Sequence, residues 1–321
     1  MASNVQDPTK AEQPVRRLPG FTSKGGGVIP QDGGVAFTVL QPVSSGVPVL
    51  ISVPHAGRCY PSAILERMRQ PEAATLMLED RLVDRIAEEI AQATGATLLI
   101  AEAPRAMLDL NRSPEDIDWS MVEQSSPPPL HSRSNQRARG GLGLVPRKLA
   151  RVGEIWKQRL RPEELEERIV GIHSPYHITI ERVLADLQNE WGAALLVDLH
   201  SMPPLGRQAS HVAPAQYVLG DRFGAACAAT LSSFALQQLG QTRPVAHNLP
   251  YAGGYILDRH GQPRRNIHAL QLEVCRSLYL DARMRELGAR HAAVTKDLAS
   301  FIAAMADEIT WLGRPLLQAA E

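Results

Sequence analysis

The sequence predicts an α/β domain in which a mostly parallel central sheet is covered by helices on both faces. Unbroken apolar runs of strand length recur along the chain, as expected for strands that are buried on both faces. Patterns typical of amphipathic helices separate these runs. Polar side chains follow several runs directly, and in open α/β sheets ligands bind beyond the carboxyl ends of the strands. These three observations predict the fold class and the edge of the sheet at which a functional site should lie.

Four apolar runs carry this prediction. They are residues 47–53, followed by His55; residues 96–101, followed by Asn111 and Arg112; residues 193–197, followed by Asp198 and His200; and residues 268–274, which contain Glu273. Asp198 and His200 share a face of their strand, where the carboxylate could orient the imidazole. Glu273 lies among apolar residues, where a carboxylate is unfavourable unless it is paired or has a function. A single strand-end histidine is most often structural, so the recurrence of polar groups is what indicates a site.

The composition excludes several classes of function. The 321 residues include 34 Lys and Arg and 34 Asp and Glu, so we expect neither a nucleic-acid partner nor a membrane partner. The cysteines, Cys59, Cys227 and Cys275, are too scattered for a disulfide framework or a thiolate metal site. No apolar run approaches the roughly 18 residues of a membrane span, and the first residues do not resemble a signal peptide. We therefore predict a cytoplasmic protein, and its oligomeric state stays open.

The chain divides into a short arm and one large domain. Residues 1–34 are polar and rich in glycine and proline, which predicts a flexible arm, and residues 35–321 are predicted to form a single domain. Residues 124–147 contain consecutive prolines and several arginines, and they predict a long flap, because loops of this length are often functional. This stretch does not form a phosphate-binding loop, since neither GxGxxG nor GxxxxGK occurs in it.

Two further features leave alternatives open. A helix is predicted from about residue 74 to Gly95, and Glu79 and Asp80 lie near its beginning. These acids could complement the helix dipole, or one of them could be a metal ligand. His173 and His177, four residues apart, form a rival metal site. However, Ser174 and Pro175 predict the N-cap and first residue of a helix to about residue 190, so that His173 would precede the helix.

The polar groups at the strand ends favour metal-dependent hydrolysis. Two imidazoles and a carboxylate, with water in the fourth position, form a common catalytic zinc site, and His55 and His200 supply the imidazoles. Glu273 fits a general base that moves protons, and Arg112 fits recognition of an acidic substrate. A serine hydrolase is disfavoured because no GxSxG motif is present.

Six segments of the chain together resemble one protein family. They are residues 52–61 (SVPHAGRCYP), 79–84 (EDRLVD), 109–112 (DLNR), 175–177 (PYH), 197–203 (VDLHSMP) and 271–279 (QLEVCRSLY). In this order, and over about residues 47–281, they resemble the N-formylglutamate amidohydrolase family. That family is similar to the zinc carboxypeptidases and aspartoacylases, which implies a three-layer α/β/α fold around a mixed eight-stranded sheet.

The resemblance implies a metal site. It makes His55 the first zinc ligand and His200 the last. Carboxypeptidases place a glutamate three residues after the first ligand, but Arg58 occupies that position here and cannot coordinate a metal. The amidohydrolase pattern places an acid at Asp80 instead, with Glu79 as the alternative. The expected cofactor is therefore Zn²⁺ or another divalent metal.

The resemblance also implies the reaction, which is hydrolysis of N-formyl-L-glutamate to formate and L-glutamate in histidine degradation. Glu273 would accept the proton of the attacking water, and Arg112 would assist the reaction and hold a substrate carboxylate. The other expected substrate-binding residues are Asn111, Asn248, Tyr251, Gly253, Arg265, Arg276 and His177. Arg265 and Arg276 are candidates for the second carboxylate, and His177 is expected near the site without an assigned role.

Two other functions stay open from the sequence. One is a related N-acyl amino acid deacylase or a carboxypeptidase-like amidase, which a panel of N-acyl amino acids would distinguish. The other is a non-catalytic protein that binds a small ligand on the same fold. The presence of His55, His200 and Glu273 together argues against the second alternative.

Overall fold

A computed structural model describes residues 15–44, 46–123, 136–206 and 213–318 as an alternation of strands and helices. The strands are β1 (Phe21–Gly26), β2 (Phe37–Pro42), β3 (Val49–Val53), β4 (Thr97–Ala101), β5 (Lys148–Leu149), β6 (Gly153–Glu154), β7 (Ala194–Met202), β8 (Tyr217–Gly220), β9 (Val245–His247) and β10 (Ile267–Cys275). The α-helices are α1 (Ser62–Arg67), α2 (Pro71–Leu78), α3 (Val83–Thr94), α4 (Gln136–Arg139), α5 (Pro162–Arg168), α6 (Ser174–Trp191), α7 (Ala229–Gly240), α8 (Tyr255–His260) and α9 (His291–Gln318).

Eight of the strands form one mixed sheet in the order β1-β2-β4-β3-β7-β10-β8-β9. The four central strands, from β4 to β10, run parallel to one another. Strand β2 is antiparallel to β4, and β8 is antiparallel to β10. The short strands β5 and β6 form a separate ribbon. The mixed eight-stranded sheet that was expected is therefore confirmed.

Helices cover both faces of the sheet because the central strands are apolar on both faces. Along β7, Leu195, Val197 and Leu199 pack into one core with residues of α3, α7 and α9. The alternate side chains Ala194 and Leu196 pack into a second core with residues of α2 and α6. Strand period two sends successive side chains to opposite faces, so an unbroken apolar run produces the three-layer α/β/α arrangement.

The segment predicted to be a flexible arm contains an edge strand of the sheet. Strand β1 pairs antiparallel with β2, and Arg16 donates hydrogen bonds to the carboxylates of Glu102 (2.6 Å) and Asp84 (2.7 Å). Residues 15–34 of the predicted arm therefore contribute a strand to the sheet, and the flexibility of the arm stays a prediction. The glycines there serve close packing, since a Cβ atom at Gly26 would overlap the ring of Phe37. Residues 1–14 lie outside the described residues, and the single domain stays a prediction.

The helix predicted from about residue 74 to Gly95 is two helices. Helix α2 ends at Leu78 and α3 begins at Val83, and the backbone between them is extended at Glu79 and left-handed at Leu82 (φ 56°). No glycine or proline marks this break in the sequence. The break matters because it turns Asp80 away from the helix surface and toward the sheet.

Ser174 is not an N-cap, because helix α6 continues from α5 without interruption. A π-helical turn, Ile169–His173, joins the two helices, and the amide of Ser174 donates to the carbonyl of Ile169. Pro175 lacks the amide that would pair with the carbonyl of Gly171 in an α-helix. That carbonyl instead accepts a hydrogen bond from the amide of Val28 (2.8 Å). His173 is consequently helical, against the prediction.

Two other sequence expectations concern longer segments. Of the predicted flap, residues 124–135 lie outside the described residues, and residues 136–147 include α4. In the part of the chain that the structure describes, none of the helices combines the length and apolar character that crossing a membrane requires.

Candidate metal and catalytic site

The carboxyl ends of the parallel strands bring the predicted side chains to one edge of the sheet. In the pairing of β7 with β10, His200 lies opposite Glu273, and His55 follows the end of β3 by two residues. Asp80 reaches the same edge from the break between α2 and α3, where its amide donates to the carbonyl of His55 (2.8 Å). The topology therefore assembles the four residues that the sequence placed in separate segments.

His55, Asp80 and His200 form a compact and buried group of candidate metal ligands. Asp80 Oδ2 lies 3.0 Å from His200 Nδ1 and 3.5 Å from His55 Nδ1. One ligand atom from each residue lies within 4.8 Å of the others. Among the described residues this is the one such group of three, and His55 Nδ1 is buried without a hydrogen-bond partner. Two imidazole nitrogens and a carboxylate oxygen fit a divalent metal.

A second carboxylate holds each imidazole from the opposite side of the ring. His55 Nε2 lies 2.7 Å from Asp109 Oδ1, and His200 Nε2 lies 2.8 Å from Asp198 Oδ2. Each ring therefore presents its Nδ1 atom to Asp80, which is the arrangement that orients metal-ligating histidines. The sequence indicated the contact of Asp198, but it did not indicate Asp109, which lies in the irregular segment after β4.

The structure places Asp80 rather than Glu79 beside the two histidines. The other oxygen of Asp80, Oδ1, accepts hydrogen bonds from Ser201 Oγ (3.1 Å) and Arg276 Nη2 (3.2 Å). Burial alone would raise the pKa of Asp80, but its contacts with the histidines lower it well below the ordinary value. The Glu79 carboxylate is instead paired with Arg81 (3.2 Å). Asp80 is thus ionised and oriented as a ligand would be.

Glu273 is buried beside the candidate ligands and has one side-chain partner that holds it. Its exposure is 8%, and its Oε1 atom accepts a hydrogen bond from Gln271 Nε2 (3.1 Å). Burial raises the pKa of Glu273 to about 7, with His200 opposing the shift and Asp80 adding to it. A carboxyl group that titrates near neutral pH can both accept and return a proton, as general acid–base catalysis requires.

Arg105 belongs to the site although the sequence did not single it out. Its guanidinium donates to Asp109 Oδ2 (2.9 Å). Burial lowers the pKa of Arg105, but the negative charges of Asp109, Asp80 and Glu273 outweigh this and raise it. Arg105 is therefore a fixed positive charge close to the candidate ligands and the candidate base. An arginine in an irregular segment gives no sequence signal of such a placement.

Both polar atoms of the Asn111 side chain have hydrogen-bond partners within the protein. Its Nδ2 atom lies 3.3 Å from both Asp198 Oδ2 and His200 Nε2, and its Oδ1 accepts from the amide of Ile256 (3.0 Å). The adjacent Arg112 donates through Nε to the carbonyl of Leu142 (3.1 Å). Asn111 thus donates to Asp198, the carboxylate that orients His200, whereas Arg112 lies between the site and the segment that contains α4.

The segment from Asn248 to Gly254 packs against the site. The Asn248 side chain is used internally, because its Nδ2 donates to Asp221 Oδ1 (2.8 Å). Tyr251 lies near the ionised groups, since burial and then Glu273 raise the pKa of its phenol. Gly253 has φ +101°, which favours glycine, and a Cβ atom at Gly254 would lie 2.5 Å from Asn111 Oδ1.

Two predicted substrate-binding residues do not reach the site. Arg265 is exposed and lies just before the amino end of β10, bonded to Gln262 (2.9 Å). Glu273 lies six residues beyond Ile267, the first residue of that strand, which is roughly 20 Å at the rise of a strand. His177 is fully buried, and both ring nitrogens contact other groups, Leu110 O (3.0 Å) and His260 Nε2 (2.9 Å).

The rival metal site at His173 and His177 is not supported. The two rings do lie side by side, with centroids 4.3 Å apart. However, each Nε2 atom faces a backbone carbonyl, that of Arg112 (2.9 Å) or Leu110 (3.0 Å). A carbonyl accepts a hydrogen bond and does not donate one, so both Nε2 atoms carry protons and are closed to a metal.

Comparison with curated proteins identifies close relatives. The chain is 31% identical over 245 residues to an N-formylglutamate deformylase of Pseudomonas aeruginosa, covering 73% of this chain and 83% of the relative. It is 30% identical to an N-formylglutamate deformylase of Pseudomonas putida, covering 73% of this chain and 82% of that protein.

Solved structures and a family model agree with these relatives. The N-formylglutamate amidohydrolase of Ralstonia eutropha JMP134 matches with a TM-score of 0.76 and 30% identity, over 85% of this chain and 98% of that one. A gene product of Agrobacterium tumefaciens, with a TM-score of 0.54 and 17% identity, shares the fold over 85% of this chain and 96% of its own. The family model described as N-formylglutamate amidohydrolase matches residues 47–280. The chain belongs to the N-formylglutamate amidohydrolase family and is an amidohydrolase.

Proposed function

We propose that this amidohydrolase cleaves the amide bond of N-formyl-L-glutamate to give formate and L-glutamate. The observation that carries the proposal is the buried group of His55, Asp80 and His200 with Glu273 directly beside it. The names of the Pseudomonas relatives supply the substrate. The proposed cytoplasmic location rests on the composition of the sequence, and the proposed place in histidine degradation rests on the family resemblance alone.

The three candidate ligands would hold a divalent metal, and zinc is the ion we propose. Their donor set leaves room for water or substrate, as catalytic zinc sites do. When bound, such an ion acidifies water and polarises a carbonyl group. The contacts of His55 with Asp109 and of His200 with Asp198 keep both Nδ1 atoms available for that ion.

Glu273 is the proposed proton carrier of the reaction. It accepts one proton as water attacks the formyl carbon, and it returns that proton to the amide nitrogen as the C–N bond breaks. The products are then formate and the free amine of the amino acid. A carboxyl group with a pKa of about 7 can serve both steps at neutral pH.

Three arginines are proposed to stabilise the developing charge, bind the substrate and orient a metal ligand. Arg105, beside Glu273 and Asp80, is placed to stabilise the negative charge that develops on the carbonyl oxygen. Arg112 is proposed to hold the α-carboxylate of the substrate, as the family resemblance implies. Arg276 donates to Asp80 (3.2 Å), so we assign it first to orienting that ligand and only then to the second carboxylate. Tyr251 is proposed as a wall of the pocket.

Formate release from N-formyl-L-glutamate tests this proposal, with Glu273→Gln as the central variant. Glutamine fills the same space but cannot carry the proton, so the catalytic rate should fall about a hundredfold or more while the metal content stays the same. The variant Arg265→Gln is the matched control, because its side chain lies at the far edge of the sheet.

Three outcomes would contradict the proposal. A rate for Glu273→Gln within a few-fold of the wild type would remove Glu273 from the base role. Stoichiometric metal without formate release would reject N-formylglutamate and direct the search to other N-acyl amino acids. Full activity of metal-free protein would reject the metal-dependent mechanism.

A further inference from the structure

One continuous helical segment donates three hydrogen bonds to the irregular stretch that carries the site residues. Arg168 Nη1 donates to the carbonyl of Met107 (2.9 Å), and His173 Nε2 donates to that of Arg112 (2.9 Å). His177 Nε2 donates to the carbonyl of Leu110 (3.0 Å). These carbonyls belong to no strand or helix, so a buried side chain must satisfy each of them.

The π-helical turn brings the donors to one side of the helix. Arg168 and His173 are five residues apart, a separation that would place them about 140° apart around an α-helix. A π-helical turn has more residues per turn than an α-helix, because its hydrogen bonds span five residues instead of four, so the two side chains lie closer to one face. His173 and His177, four residues apart, already share a face in α6. The turn thus has a geometric consequence for the site, as π-turns often do.

For neutral rings of His177 and His260, the hydrogen bonds permit a single arrangement of protons. Since a carbonyl only accepts, His177 carries its proton on Nε2, and its Nδ1 atom is an acceptor. His260 Nε2, 2.9 Å from His177 Nδ1, must then be a donor. His260 lies on α8, whose first turn binds Asn111 through the amide of Ile256 (3.0 Å). These hydrogen bonds therefore connect α6, which binds the carbonyl of Leu110, with α8, which binds the side chain of Asn111.

We propose that His173, His177 and His260, here called the helix histidines, are positioning residues that fix the backbone of residues 110–112. This backbone sets Asn111 against His200 and directs Arg112 to the substrate carboxylate. The inference rests on the proposed function only for the role of Arg112. The helix histidines do not touch the reacting atoms.

Packing alone does not account for this arrangement. The helix histidines are buried, with exposures of 1% for His173, 0% for His177 and 3% for His260. A leucine or phenylalanine would fill the same space without the cost of burying a polar ring. Besides one another, the rings contact the side chains of Tyr176 and Tyr255, in edge and tilted arrangements. What the histidines add is N–H groups aimed at the carbonyls on either side of Asn111.

The test compares His173→Leu with His173→Gln in steady-state kinetics on N-formyl-L-glutamate. Leucine removes the donor, whereas the Nε2 amide of glutamine can replace it. We expect His173→Leu to raise KM about tenfold with kcat changed less than about threefold, because a small displacement of a substrate-binding residue is costly. We expect His173→Gln to restore KM to within about threefold of the wild type.

A control variant at His268, a buried histidine outside the site, distinguishes a loss of positioning from a general loss of stability. His268 lies at the amino end of β10, and its Nδ1 accepts from the amide of Ala228 (3.4 Å). His268→Leu should lower stability and leave KM unchanged. A KM for His173→Leu within twofold of the wild type, an equal rise in His268→Leu, or failure of His173→Gln to restore KM would each overturn the proposal.

Nitrogen-15 NMR of the wild-type imidazoles provides a readout that needs no variant and no substrate. His173 and His177 should be neutral at pH 7 with the proton on Nε2. A proton on Nδ1 of His177, or a positive charge on the ring of His173 or His177, would overturn the proposal even if His173→Leu did not fold. If the wild type releases no formate, the proposed function fails independently, and the kinetic comparison moves to the N-acyl amino acid that the wild type does cleave.

Discussion

The protein contains two groups of equally buried histidines that differ in what faces them. The strand-end histidines, His55 and His200, are each 3% exposed and face carboxylates on both sides of the ring. The helix histidines are no more exposed, but they face backbone carbonyls and one another. Burial is therefore common to both groups, and the partners decide the chemistry.

The partners move the pKa values of His200 and His177 in opposite directions. Burial lowers the pKa of His200, but the carboxylates of Asp198 and Asp80 outweigh it and raise the pKa well above the ordinary value. At His177 burial also lowers the pKa, and the neighbouring rings of His173 and His260 lower it further. A pocket that stabilises positive charge suits a metal cation, whereas neutral rings suit fixed hydrogen bonds.

The largest effect should come from removing a strand-end histidine. His200→Ala deletes one of three candidate ligands, so we expect the metal to be lost and formate release to fall at least about a thousandfold, because metal catalysis contributes several kcal/mol. Elemental analysis and a formate assay on the same preparation measure both quantities. His177→Gln is the matched control and should keep its metal. A His200→Ala protein with full metal occupancy would contradict the distinction between the two groups.

A smaller loss of metal binding is expected when Asp109, the carboxylate that contacts the candidate ligand His55, is replaced. Asp109→Asn leaves His55 in place but replaces the charged partner of its Nε2 atom (2.7 Å) with a neutral one. Metal affinity should fall about 10- to 100-fold, which competition with a chelator measures. Asp118→Asn is the control, because Asp118 is a buried carboxylate bonded to Arg147 (2.7 Å) away from the site. Equal affinities in the two variants would show that Asp109 does not orient the ligand.

The strand-end group could be predicted from the sequence because it depends on regular structure. Unbroken apolar runs identify the strands, and the carboxyl ends of parallel strands meet at one edge of the sheet. These two rules predict that His55, His200 and Glu273 lie together at that edge. The residue pattern left Asp80 and Glu79 as alternative ligands, and only the family resemblance favoured Asp80. Its position depends on a helix break at Glu79–Leu82 that no glycine or proline announces.

The helix group could not be predicted because it depends on an irregular backbone. Ser174 and Pro175 have the features of a helix start, so they concealed the π-helical turn that makes His173 helical. That turn is stable because the amide of Val28, from a segment predicted to be flexible, satisfies the carbonyl of Gly171 (2.8 Å). A contact between residues so distant in sequence leaves no periodic pattern. Asp109 and Arg105 escaped notice for the same reason.

The smallest effect we predict is a change in how stability depends on pH, and it tests the neutrality of the helix histidines. Burial, together with Arg259 and His173, lowers the pKa of His260 to about 3. In the unfolded chain the same side chain titrates near 6.5. Below that pH the unfolded state binds a proton that the folded state does not, so the free energy of unfolding decreases as the pH falls.

His260→Gln removes this titration and keeps an N–H donor for His177. Between pH 6.5 and 5.0 the wild type should therefore lose about 2 kcal/mol more unfolding free energy than the variant, at about 1.4 kcal/mol per pH unit for one proton. Urea unfolding at several pH values measures the difference. His268→Gln should behave alike, since burial lowers the pKa of His268 to about 4. Parallel curves for wild type and His260→Gln would mean that His260 is charged when folded. A charged His260 would place a second cation beside Arg259, although it could still donate its Nε2 proton to His177.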